Sequence, residues 1–275
     1  MARAHLVARL VSLSGLVITA AAGCAHAAAQ DLAPRHATDQ AAPESPPAVS
    51  TCDGTGATPG DEHPCTPLPI PAGRLIATLD AAACTSVLVS HGVRFEPLAP
   101  EDAPGVAQPI RLRGPIDGVV IEPRSASRVH AILDCRLAVA LLAWAPALRA
   151  AGIDRIQHYS AFRPGARIHS NGRPSGHSNG LAIDSALYRE RATPGHDADP
   201  RVLDVLTDWA ERERGGPPCP VRESEPGESR VLRSVVCAAV QADLFQVVLT
   251  PHFDAAHQNH IHLEVVPGVD WSYVH

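Results

Sequence analysis

The feature that most constrains the fold is an alternation in the segment HIHLEV, residues 260–265. Three apolar residues alternate there with His260, His262 and Glu264. Because successive side chains of a β-strand point to opposite faces, the apolar residues share one face and the polar residues share the other. The segment therefore predicts a half-buried strand with two imidazoles on its polar face.

A second segment, SGHSNGLAIDS at 175–185, offers partners for these imidazoles. His177 precedes Asp184 by seven positions, and a Ser-Asn-Gly turn signal and a short apolar run lie between them. A histidine on the turn and an aspartate on the strand can converge if the chain folds back between them. An open zinc site takes three protein ligands, so this pair and one histidine from 260–262 predict a metal site. His257 lies just upstream and suits a supporting or substrate-contacting position.

The N-terminal segment has the pattern of a secretory signal. Residues 1–23 contain two arginines followed by the apolar run VSLSGLVITAAAG. The segment AAGC that ends at Cys24 resembles a bacterial lipobox, in which that cysteine is acylated; ordinary cleavage after residue 27 would instead remove it. We therefore expect an envelope protein, either periplasmic or an outer-membrane lipoprotein, whose only membrane contact is a lipid anchor.

The cysteines favour an oxidising compartment. The chain has seven, and removal of Cys24 leaves six, an even number suited to three disulfides. Proximity suggests the pairs Cys52–Cys65, Cys84–Cys135 and Cys219–Cys237. Six cysteines allow 15 connectivities, so these pairs remain one choice among several. No CxxC pair is present, and a thiolate zinc site is not expected.

Composition divides the rest of the chain into a tether and a domain. Residues 24–73 are rich in proline, alanine, glycine and acidic residues, and such a segment buries too little apolar surface to offset its ordering entropy. The folded domain is expected over 74–275. The net charge of −6 and the absence of a basic run argue against a nucleic-acid partner.

Hydrophobic periodicity within 74–275 alternates between helix and strand, which predicts an α+β fold. Helices are predicted at 75–90, 135–151 and 229–243, and strands at 92–98, 118–123, 153–162, 245–251 and 260–266. A further helix is predicted from Pro200, with Val202, Val205, Leu206 and Trp209 as its buried stripe.

These motifs resemble those of known proteins. SGHSNGLAID followed by HQNHIHLEV resembles the zinc D-Ala-D-Ala carboxypeptidase, murein endopeptidase and hedgehog superfamily, which has a His-x6-Asp motif and a late His-x-His. The segments CRLAVALLAW, HYSAFRPGARIHSNGRPSGHSNGLAID and VLRSVVCAAVQADLFQVVLTPHFDAAHQNHIHLEV are similar to the extensin-like C-terminal domain family of bacteria. The resemblance implies a small antiparallel sheet with flanking helices that carries a His/Asp/His zinc site.

The resemblance also implies roles for individual residues. His177, Asp184 and His262 would be the zinc ligands. His260 would be the catalytic general base on the attacking water and would later protonate the leaving amine.

Three further positions follow from the same resemblance. Arg163 would hold a substrate carboxylate or stabilise the developing oxyanion, and His257 would support the site or contact substrate. Family members often have a cysteine where this chain has Phe162, which leaves Cys219 as a partner for Cys237.

The implied function is that of a zinc peptidase of the bacterial cell envelope that hydrolyses peptidoglycan peptides at D,D or L,D bonds. One alternative is a zinc-containing domain that binds wall peptide or glycan without hydrolysis. Another is an envelope structural protein without a metal.

Overall fold

The computed structural model describes residues 66–192, 195, 199–212 and 217–275. The expected signal at 1–23, the lipidation site Cys24, the tether up to residue 65 and the Cys52–Cys65 pair lie outside these described residues. Among the described residues, no helix combines the length and the apolar character needed to cross a membrane.

The described residues form an α+β fold, as the periodicity predicts. The helices are α1 (Ala81–Ser90), α2 (Cys135–Ala150), α3 (Val205–Asp208) and α4 (Gly227–Gln241). The first strands are β1 (Phe95–Pro97), β2 (Pro109–Leu112), β3 (Val120–Pro123), β4 (Ile132–Asp134) and β5 (Ile153–His158). The remaining strands are β6 (Ala182–Glu190), β7 (Val202–Asp204), β8 (Val247–Leu249), β9 (Ile261–Glu264) and β10 (Tyr273–Val274). Short 3-10 turns cover Gly73–Thr78, Pro100–Asp102, Gly176–Asn179 and Ala255–His257.

The main sheet has seven strands and is mixed rather than small and antiparallel. Its order is β10-β8-β9-β6-β5-β3, and β7 pairs with β6. The pairs among β8, β9, β6 and β5 are antiparallel, whereas β3 pairs with β5, and β10 with β8, in parallel. The parallel β3–β5 pair needs a crossover connection, and α2 lies in that connection. Strands β1, β2 and β4 form a separate antiparallel sheet.

Helix α2 lies at the centre of the core. Its N-cap is Asp134, whose side chain accepts a hydrogen bond from the Arg136 amide, and ten of its 16 residues are buried. Its Trp144 indole donates to the backbone carbonyl of Val235 in α4 at 2.7 Å. A helix that is apolar on nearly every side is stable only when it is surrounded, and α2 packs against α1, α4 and β5.

Two disulfides connect helices to their surroundings. Cys84 in α1 is bonded to Cys135 at the start of α2, and Cys219 is bonded to Cys237 in α4. Both are pairs that proximity in the sequence suggests. Their presence fits an oxidising compartment.

The helix predicted from Pro200 is wrong. Strand β7 and the four-residue helix α3 occupy this segment. Val202 and Leu206 are 49 % and 54 % exposed, whereas Leu203 is fully buried. The physical reason is pairing: β7 runs antiparallel to β6, so alternate residues face the core, and Asp204 then caps α3.

The helix predicted over 75–90 is interrupted. A 3-10 turn ends at Thr78, and α1 begins anew after Asp80, whose side chain accepts a hydrogen bond from the Ala83 amide. This N-cap defines the start of α1 locally, which hydrophobic spacing alone does not reveal.

Candidate metal centre

Two neighbouring strands bring Asp184 and His262 together. Strands β6 and β9 are antiparallel, and these two residues are direct partners in the ladder, so their side chains lie on one face. His177 comes from the 3-10 turn Gly176–Asn179, which immediately precedes β6. Gly180 ends that turn in the left-handed region, with φ 65° and ψ 16°. The predicted convergence of the turn and the two strands is therefore present in the structure.

The three side chains form one compact, buried group. Oδ1 of Asp184 lies 2.9 Å from Nε2 of His177 and 2.9 Å from Nδ1 of His262. The two imidazole nitrogens are 3.2 Å apart. A tetrahedral ion with bonds of about 2.0–2.1 Å places its donors roughly 3.3 Å apart, so a small outward shift accommodates a metal. Because all three residues are buried and offer one donor atom each, the group is suited to hold a metal ion.

The outer nitrogen of each imidazole has its own acceptor. Nδ1 of His177 lies 2.8 Å from the carbonyl oxygen of Ala161. A carbonyl can only accept, so this nitrogen carries the proton and Nε2 keeps its lone pair for a metal. Nε2 of His262 lies 3.1 Å from Oε2 of Glu264, on the side away from Asp184. The outer contact of each ring fixes its orientation, so that the inner nitrogens, Nε2 of His177 and Nδ1 of His262, both face Asp184.

Electrostatics favour a positive charge at this point. Burial tends to raise the pKa of Asp184, but hydrogen bonds to His177 and His262 hold it well below its usual range. Burial lowers the pKa of His177 despite its bond to Asp184. Burial also disfavours a charged His262, but its bonds to Asp184 and Glu264 raise its pKa to about 9. Without a metal, His262 is therefore protonated at pH 7 and its positive charge balances the Asp184 carboxylate. A metal cation can replace the proton between them.

His260 lies beside the three donors. Its Nε2 is 3.4 Å from Oδ1 of Asp184, and its Nδ1 is 2.8 Å from the side-chain oxygen of Asn259. The edge of the Tyr159 ring packs against it, with centroids 5.9 Å apart. Burial lowers the pKa of His260 to about 4, so the imidazole is neutral at pH 7. With a proton donated from Nδ1 to Asn259, the lone pair of Nε2 faces the site.

Arg163 borders the site from the loop after β5. Its Nη2 lies 3.8 Å from Oδ2 of Asp184, and its side chain is 48 % exposed. Its backbone amide donates to the His177 carbonyl at 2.9 Å, which connects the two loops. The guanidinium is therefore within reach of both solvent and the buried carboxylate.

Comparison with known proteins identifies the family. A model of the family described as "Extensin-like protein C-terminus" matches residues 82–273. The chain belongs to the extensin-like C-terminal family. No curated protein and no solved structure matches it. The match spans every residue of the site and both disulfides, so the site belongs to the extensin-like domain itself.

The extensin-like domain adds partners that sequence reasoning missed. Asp254 caps the 3-10 turn Ala255–His257, and its Oδ1 lies 2.6 Å from Nδ1 of His257. This contact places the His257 ring 5.1 Å from that of His260 and 6.0 Å from that of His262. The spacing Asp-x-x-His in the sequence was the available signal. Asn259 and the Ala161 carbonyl had none, because an adjacent amide and a backbone oxygen acquire their roles only through the fold.

Proposed function

We propose that the extensin-like domain is a zinc peptidase that hydrolyses peptide bonds of peptidoglycan, within the zinc D-Ala-D-Ala carboxypeptidase, murein endopeptidase and hedgehog superfamily. The observation that carries this proposal is the buried group of His177, Asp184 and His262, with their donor atoms 2.9–3.2 Å apart. Two imidazoles and one carboxylate form a donor set that suits zinc with an open fourth position.

His260 supplies the proton transfer in this proposal. A bound zinc ion would supply Lewis-acid chemistry, polarising a carbonyl and making a water more acidic. His260 is neutral at pH 7 and points Nε2 at the site, so it can accept a proton from the attacking water. The same nitrogen can then donate that proton to the leaving amine, which restores the neutral imidazole.

Arg163 and His257 supply recognition. A guanidinium stays charged at any pH relevant to the protein, and its fork of N–H groups matches a carboxylate. The exposed side chain of Arg163 can therefore bind a substrate carboxylate or the negative charge that develops on the carbonyl oxygen. His257, oriented by Asp254, lies near enough to His260 to contact the same substrate.

The proposed location is the bacterial cell envelope. The two disulfides support an oxidising compartment, and the segments at 1–23 and Cys24 support export with a lipid anchor. In a bacterial host, Cys24→Ser should abolish incorporation of labelled fatty acid into the protein. Unchanged incorporation would contradict acylation at this residue.

A second candidate function is binding of wall peptide or glycan without hydrolysis, and the low pKa of His260 is consistent with it. General bases work best with a pKa near the operating pH, and a pKa of about 4 makes His260 a weak base. The same residues would then hold zinc and recognise the wall polymer.

Digestion of purified sacculi separates the two candidates. Zinc-loaded wild type should release peptide fragments, identified by mass spectrometry, whereas His260→Ala should keep zinc and release none. His91→Ala is the matched control, because this histidine follows the C-terminal end of α1 and its imidazole is hydrogen-bonded to the Leu68 carbonyl. If zinc-loaded wild type binds sacculi but releases no fragment, the peptidase proposal is wrong and the binding function is favoured.

A further inference from the structure

The side chain of Glu264 lies directly behind the metal-facing nitrogen of His262. The two residues are separated by one position in β9, so they share a face of the strand. Oε2 of Glu264 is 3.1 Å from Nε2 of His262, and the opposite nitrogen, Nδ1, faces Asp184 and His177. A carboxylate only accepts hydrogen bonds, so the contact requires the proton to lie on Nε2.

The contact selects one tautomer and one ring orientation for His262. Without a metal, Nδ1 also carries a proton, which it donates to Asp184. When a metal ion replaces that proton, the proton that Glu264 holds on Nε2 leaves the lone pair of Nδ1 directed at the point where the three donors meet. A free imidazole can carry its proton on either nitrogen and can rotate about χ2, and both freedoms oppose metal binding. His177 has the same arrangement in reverse, but there the outer acceptor is a neutral carbonyl. Of the two outer acceptors, the Glu264 carboxylate and the Ala161 carbonyl, only Glu264 is charged.

Gly176 leaves the space that the Glu264 carboxylate occupies. A Cβ at position 176 would lie 2.5 Å from Oε1 of Glu264, far inside van der Waals contact. The backbone of Gly176 is not in the left-handed region, so its conformation does not require glycine. Position 176 therefore requires glycine because the Glu264 side chain occupies the space that a Cβ would fill.

We infer that Glu264 is a positioning residue that holds His262 in its metal-binding tautomer, and that Gly176 is its necessary counterpart. This inference rests on the proposed metal site. It predicts that loss of the carboxylate, or loss of its space, weakens metal binding although neither residue donates an atom to the metal.

Zinc affinity, measured by competition with a chromophoric chelator, tests the inference without reference to catalysis. Loss of an outer partner of a metal ligand typically weakens binding 10–100-fold. We expect Glu264→Ala to weaken zinc binding by about that factor, and Glu264→Gln to lie between it and wild type because an amide oxygen still accepts. Glu190→Gln, at the far end of β6, is the matched control and should bind like wild type.

A double-mutant cycle with Gly176→Ala separates the two residues. Alone, Gly176→Ala should weaken zinc binding because the added Cβ displaces the carboxylate, whereas the end of a flexible side chain can move without disrupting the fold. In the Glu264→Ala background it should have almost no further effect. Equal losses in both backgrounds would mean that the change acts through the neighbouring His177, which would refute the role of Gly176.

Nitrogen-15 NMR of the zinc-loaded wild type gives a second readout, in which His262 should be protonated on Nε2. A proton on Nδ1 would overturn the inference. So would zinc affinity of Glu264→Ala within twofold of wild type, in which case the metal site itself stands. If wild type binds no zinc, or if His177→Ala binds it equally well, the proposed function fails together with the inference.

Discussion

The substitution Gly180→Ala tests how the fold presents His177 to the site. Gly180 ends the 3-10 turn at φ 65°, and its carbonyl accepts a hydrogen bond from the Asp134 amide at 2.9 Å. A Cβ at this position would lie 2.9 Å from that amide nitrogen and 3.3 Å from the carbonyl carbon of Leu133. Both are backbone atoms at the junction of β4 and α2, so neither can move as a flexible side chain could.

The expected loss has two parts. A residue with a Cβ in the left-handed region costs roughly 1–2 kcal/mol, and overpacking against rigid atoms costs about 1–3 kcal/mol more. Gly172→Ala is the matched control, because Gly172 has φ 68° and no atom within 4 Å of an added Cβ. We therefore expect both variants to lose the first part and only Gly180→Ala to lose the second.

Urea unfolding followed by tryptophan fluorescence measures both losses. The experiment uses oxidised protein with a chelator present, since metal bound to the native state would add its own stabilisation. Gly180→Ala should lower the free energy of unfolding by about 1–3 kcal/mol more than Gly172→Ala, with similar m-values. Equal losses in the two variants would show that the turn does not pack against β4 as described.

Three further predictions concern the rest of the domain. Burial and the nearby guanidinium of Arg233 lower the pKa of His252 to about 4. Between pH 6.5 and 4 the unfolded state therefore binds more protons than the folded state. The free energy of unfolding then falls by up to about 3 kcal/mol as the pH drops through that window. Urea titrations at several pH values should show that the free energy of unfolding of His252→Gln falls less steeply with decreasing pH than that of wild type. An unchanged pH dependence would contradict the assignment. Replacing both Cys84 and Cys135 by alanine opens a link over 51 residues and should remove about 4 kcal/mol in the same titration; a loss below about 1 kcal/mol would argue against a structural bond. Trp144→Phe removes a buried 2.7 Å hydrogen bond to α4 and should cost about 2–3 kcal/mol by circular dichroism, whereas wild-type stability would mean that the indole bond is not formed.

Local patterns predicted the parts of the site that depend on local structure. The alternation at 260–265 identified β9 and its polar face, because a strand's two faces can be read from a period of two. The turn and the apolar run between His177 and Asp184 indicated a return of the chain. Helices α2 and α4 followed from apolar periodicity and, for α2, from its Asp134 cap.

Features that depend on long-range pairing could not be predicted from the sequence. Strand β7 looked helical because Val202, Val205 and Trp209 match a helical stripe, and only pairing with β6 makes it a strand. The parallel edges of the main sheet are likewise invisible, because strand direction depends on the path of the whole chain. The space that Gly176 leaves for Glu264 joins residues 88 positions apart, so no local pattern records it.

Metal content tests the central claim most directly. Protein purified without added chelator, equilibrated with excess zinc and then desalted should retain about one zinc per chain by elemental analysis. His177→Ala should retain none under the same conditions, whereas His91→Ala should match wild type. Wild type that retains no metal, or His177→Ala that retains it in full, would contradict the assignment of His177, Asp184 and His262 as a metal centre.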